Sequence, residues 1–147
     1  MAVLIGGAAG ALITFLLTTG RQWWRRRRLA EDAAKRLAPE LDTLGLAVTD
    51  ALAAYSWEPL DRLDLTDHSI PRLTKQVIDG VRQRTAEPFT DGVLAVHELD
   101  RARETVALVA PHERERVADY RRRIAIAGAI ASAMADGART HPRHDHP

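Results

Sequence analysis

The sequence predicts an all-α protein: a single N-terminal transmembrane helix followed by a small cytoplasmic bundle of about four helices. Three observations predict it. An uncharged apolar run opens the chain, an arginine cluster closes that run, and beyond it apolar residues recur at helical spacing with no strand alternation. Composition agrees. Of 147 residues, 46% are hydrophobic, only 5% are aromatic and nine are glycine, which argues against a strand-rich barrel or sandwich. The absence of cysteine excludes a disulfide framework, thiolate metal sites and a cysteine nucleophile. Arginine displaces lysine almost completely, a bias associated with GC-rich bacterial coding.

The apolar run covers residues 2–20 (AVLIGGAAGALITFLLTTG) and carries no charge. As a helix it spans roughly 28 Å, close to the hydrocarbon thickness of a bilayer. In lipid every backbone amide must be paired within its own segment, so a run of this kind is stable there as a helix. Arg21, Trp23, Trp24, Arg25, Arg26, Arg27 and Arg28 follow. Indoles favour the headgroup level and guanidinium groups favour the cytoplasmic side, so these seven residues are the expected anchoring and topology determinants. A cleaved signal peptide would need positive charge ahead of the run and a small-residue cleavage site after it; only Met1 precedes it, and Thr18–Thr19–Gly20–Arg21 is a poor exit. The expected placement is therefore a bacterial cytoplasmic (inner) membrane, single-pass, with the N-terminus outside and the remainder cytoplasmic. Ala2, Gly6 and Gly10 recur every four residues, a spacing that permits close helix packing.

Residues 21–36 form a basic juxtamembrane segment of net charge +5, against −4 for the rest of the chain. Its expected partner is a bilayer with an anionic inner leaflet rather than nucleic acid, because tryptophans sit among the arginines. Residues 37–136 are the expected cytoplasmic helical domain and 137–147 a disordered polar tail.

Ala30, Ala34, Leu37, Leu41, Leu44, Val48, Ala51 and Tyr55 alternate steps of four and three, a heptad seam. Pro39 falls inside it, so a kink or a new helix is expected near Pro39–Glu40. Residues 56–66 read as a connection. Asp67 or Ser69 can cap a helix with Pro71 in its first turn and Ile70, Leu73, Val77 and Val81 on its stripe. Glu87–Pro88 is expected to break that pattern. Thr90 or Asp91 then caps a helix carrying Val93, Val96, Leu99, Ala102, Val106 and Val109, which Pro111 ends. The last helix starts at Pro111 and carries Val117, Tyr120, Ile124, Ala127 or Gly128, Ala131 and Met134. Four such stripes suffice to close a bundle. Within the last helix, residues 124–135 (IAIAGAIASAMA) are apolar on every face, which fits either a central core helix or a helix with a spare binding face.

No catalytic, cofactor-binding or metal-binding set is expected. Asp61, Asp64, Asp67 and His68 lack the alternating ligands and central glycine of a calcium loop. His141, His144 and His146 form a histidine-rich tail without fixed geometry. His97–Glu98–Leu99 resembles the opening of the phosphoacceptor box of sensor histidine kinases over three residues; Asp100, Arg101 and Ala102 stand where that box continues threonine–proline–leucine. The resemblance implies phosphotransfer through His97. The leading expectation is instead an anchored, non-enzymatic protein whose helical domain works as a scaffold or adaptor, by contact with a protein partner or a second copy of itself. A small membrane-active, holin-like protein is the remaining alternative.

Overall fold

Helix formation follows directly from the spacing of apolar residues. The computed structural model describes residues 3–63 and 69–137, with side chains from residue 19 onward, that of Ser69 excepted. Every regular element among the described residues is an α-helix: α1 (Val3–Ala54), α2 (Glu58–Asp61), α3 (Ser69–Gly80), α4 (Gln83–Thr105) and α5 (Pro111–Gly137). The all-α, bundle-forming expectation is met.

At 52 residues, α1 is about 78 Å long. Its seam from Ala30 through Ala34, Leu37, Leu41, Leu44 and Val48 to Ala51 is buried throughout. The core thus begins at Ala30, inside the stretch assigned to the juxtamembrane segment. No new helix starts at Pro39: α1 runs through it without a break. Pro39 is exposed, so the carbonyl deprived of its amide partner lies on the solvent side, where water can serve it. Tyr55 is not on the buried seam. It takes the left-handed conformation (φ 54°) just beyond the helix, and Ser56 N–H donates to the Ala51 carbonyl at 3.1 Å. This is a Schellman ending with tyrosine where glycine is usual. Arg114 covers the Tyr55 ring at 4.5 Å.

The expected connection after α1 contains the single turn α2. Trp57 fastens it to the end of α4 by donating Nε1–H to the Val106 carbonyl at 2.7 Å. Arg103 of α4 reaches the Leu60 carbonyl at 3.4 Å and Asp61 at 3.8 Å.

The four long helices run alternately up and down. Gly80, at the end of α3, rests on Ala30, while Ile70 at its start borders the same cavity as Leu41 and Leu44, so α3 is antiparallel to α1. From its start near Arg26, α4 runs back past Leu37 and Leu41 toward α2. In α5, Arg121 donates to Thr49 Oγ1 and Gly128 lies over Leu41 and Asp42, again antiparallel to α1. Packing is extensive for α1 with α3 and α5 and for α4 with α5, and slighter between α3 and α4.

Two expected boundaries move. The break between α3 and α4 falls at Val81–Arg82, not at Glu87–Pro88, and Pro88 lies within α4. Arg82 is extended, and its carbonyl accepts from Thr85 N–H at 2.9 Å and Ala86 N–H at 3.1 Å, starting the new helix. The expected caps Thr90 and Asp91 are therefore interior. The other end of α4 is Thr105 rather than Pro111; Val109 is 72% exposed, and the buried residue of that linker is Leu108. Pro111 opens α5 as expected.

Among the described residues no helix is long and apolar enough to cross a membrane. The side chains of the 2–20 run lie outside the described set as far as residue 18, Ala2, Gly6 and Gly10 among them. The transmembrane span and its packing face therefore have no structural support. Asp64, Asp67 and His68, and residues 138–147 with their histidines, also lie outside the described residues.

Candidate interaction surface

Between Arg21 and Leu29, α1 stands clear of the core. Trp23 and Trp24 are 54% and 55% exposed, and Leu29 is 53% exposed, in a stretch that also holds five arginines. The two indoles meet edge to face at 5.5 Å, and the Arg27 guanidinium sits 5.4 Å from the Trp23 ring centre. Arg27 also pairs with Glu31 one turn on, at 3.1 Å. The two indoles and Leu29 leave apolar area exposed among the arginines. All seven expected collar residues thus lie together on one helical segment directly before the bundle.

The collar continues into a groove of about 860 Å³. One wall is α1 from Trp23 to Glu31, and the end is the α3–α4 link from Asp79 to Arg82 with Thr85. The other wall is the last turns of α5, through Ile126, Ala129, Ile130, Ala133 and Met134 to Gly137. This settles how residues 124–135 divide. Ile124, Ala127, Gly128, Ala131 and Ala135 are buried, while Ile126, Ala129 and Ala133 face outward into the groove. The stretch is core on one side and open apolar surface on the other.

Close backbone approach builds both sides of this surface. A Cβ on Gly80 would overlap that of Ala30, so glycine lets the end of α3 settle on α1 and carries Arg82 to the groove. A Cβ on Gly92 would collide with the Arg123 carbonyl and with Ala127, so glycine also sets the spacing of α4 and α5.

Arg123 holds that second contact. Its fork meets Asp91 at 2.9 and 2.8 Å, reaches the Asp91 carbonyl at 3.1 Å, and pairs with Glu98 at 2.6 Å. The hydrogen bonds to Asp91 raise its pKa further, with Glu98 adding to the effect against the opposing cost of burial. An always-charged group bridging two acids ties two helices; it offers no proton-transfer chemistry. This cluster escaped the sequence reading because Arg123 comes from α5 while Asp91 and Glu98 share α4, and nothing in the sequence links the two helices.

His97 is exposed in the middle of α4, with Leu94 and Arg101 exposed one turn to either side. Among the described residues no group of three or more histidine, aspartate or glutamate side chains is placed to hold a metal ion. Asp61, the described member of the loop cluster, faces Arg103. A second cavity of about 350 Å³, lined mainly by Leu37, Leu41, Leu44, Leu63, Ile70, Val93 and Val96, is apolar. Comparison with protein families, with curated proteins and with solved structures finds no match to this chain.

Proposed function

We propose that this chain is a single-pass anchor protein of a bacterial inner membrane, with its helical bundle in the cytoplasm acting as a scaffold by contact with other proteins. The observation that carries this reading is the segment of α1 from Arg21 to Leu29, with two half-exposed indoles among five arginines. The uncharged run 2–20 immediately precedes it in the sequence, and residues 3–20 lie on the same helix. Indoles and guanidinium groups in that order match the headgroup level and the anionic cytoplasmic leaflet. The open face of α5 supplies surface for a protein partner. Reporter fusions test the orientation: a periplasm-dependent reporter should be active at the N-terminus and silent at the C-terminus. The reverse pattern, or activity at neither end, overturns it.

One observation favours a second reading. His97 is solvent-facing at mid-helix in an up-and-down four-helix bundle, with cationic Arg101 one turn away. Such a histidine is accessible to a phosphodonor. Labelling of the full chain by a small phosphodonor, lost in His97→Gln, would support phosphotransfer; equal labelling of both proteins, or none, would dispose of it.

A further inference from the structure

We propose that the cavity between α1, α3 and α4 binds a small uncharged hydrophobe, about two aromatic rings in size. The inference does not depend on the membrane reading and gives the bundle a ligand of its own. Leu37, Leu41 and Leu44 of α1, Val93 and Val96 of α4 and Ile70 of α3 line the cavity, and no residue of α5 does so among the described residues. It therefore lies on the side of α1 where α3 and α4 pack only slightly on each other. The short link at Val81–Arg82 holds those two helices together at one end, and the cavity lies toward the other, at Ile70 and Val96. Its volume of about 350 Å³ is at the small end of ligand sites, roughly 300–1,000 Å³. An apolar cavity of roughly 150 Å³ takes up benzene, so a skeleton of about two rings is the matching size.

The chemistry of the lining fixes the class of ligand. Leu37, Leu41, Leu44, Val93 and Val96 are buried, and their side chains offer a water molecule none of the polar partners that it needs inside a protein. Polar side chains occur only at the rim, where Glu40 and Thr43 line the cavity and are exposed, as is Pro39. Thr43 donates its hydroxyl hydrogen to the Pro39 carbonyl at 2.8 Å, which leaves the hydroxyl oxygen able to accept. Glu40 is the one ionisable side chain among the described lining residues. An anionic ligand would therefore meet a carboxylate and no cation, and would lose its hydration on entering. An uncharged ring system with a hydroxyl at its outer end suits the apolar wall and the accepting rim together.

The test uses the full chain in mild detergent with methyl-labelled leucine and valine, titrated with 1-naphthalenemethanol or with 1-naphthoate and read by NMR. These probes share one ring system and differ in charge. The alcohol should shift the methyl signals of Leu37, Leu41, Val93 and Val96 saturably, and leave Leu46, exposed on the same helix, unmoved. The carboxylate should bind at least about tenfold more weakly, and Glu40→Gln should narrow that difference by about threefold. Val93→Phe, which fills the cavity from α4, should weaken binding of the alcohol about tenfold. Thr43→Trp does the same from the exposed rim, where the fold tolerates a larger side chain, so the test survives if Val93→Phe unfolds the bundle. No shift at all, shifts that spread equally to Leu46, or wild-type affinity in either folded variant would overturn the site. Equal affinity for the alcohol and the carboxylate would overturn its assignment to uncharged ligands.

Discussion

The stretches of α1 on either side of Ala30 share one helix and differ in what surrounds them. From Ala30 to Ala51 the seam residues are buried, covered by α3 and α5. From Arg21 to Leu29 the residues are exposed or half-buried, although two are tryptophan and one is leucine. Within the bundle the seam residues are covered by the same chain, although Leu46, Leu94 and Ile126 stay exposed. Beyond it, Trp23, Trp24 and Leu29 are all exposed among the arginines. Helical periodicity marks apolar positions; only the structure separates those covered within the chain from those left exposed.

Substitutions can break this contrast. The largest effect is expected at Leu37, fully buried on the seam: Leu37→Ala should destabilise the bundle by about 2–5 kcal/mol, measured by denaturant unfolding of the full chain in mild detergent. Leu46, on the same helix but 69% exposed, is the matched control, and Leu46→Ala should change stability by less than about 0.5 kcal/mol. An intermediate loss is expected where helices touch through glycine. Gly92→Ala forces a methyl group against the Arg123 carbonyl and Ala127, for about 1–3 kcal/mol. The smallest effect on stability belongs to the collar. Trp23→Ala with Trp24→Ala should leave unfolding of the bundle within about 0.5 kcal/mol while weakening partition of the chain into liposomes. A large loss of bundle stability in that double variant would mean that the indoles serve the core, and the contrast would collapse.

Much of the core was legible because it is periodic. The seam from Ala30 to Ala51 and the stripes through Leu73 and Val77, Val93 to Ala102 and Val117 to Ala131 are read from spacing alone, and they are buried. The proline-based boundaries were misplaced for a local reason. Proline removes one donor, and where it sits on an exposed face, as Pro39 does, water can serve the orphaned acceptor and the flanking burial outweighs the loss. The break after α3 follows Gly80, a local stop signal that Pro88 overshadowed; that Gly80 also sits against Ala30 no window of sequence displays. The candidate surface was half legible. The collar is a contiguous motif, whereas the groove joins Arg26, Arg82 and Ile130 from three distant segments. Residues 124–135 remained ambiguous because their composition is apolar all round, and only the neighbours decide which side is core.

The anchor itself is tested most directly by sedimentation. Cells expressing the full chain are broken without detergent, the membranes are washed with alkaline carbonate, and the suspension is spun at high speed. The chain should be found in the pellet and come free only when detergent dissolves the bilayer. Full-length protein in the carbonate supernatant would show that the uncharged run does not hold the bundle in lipid.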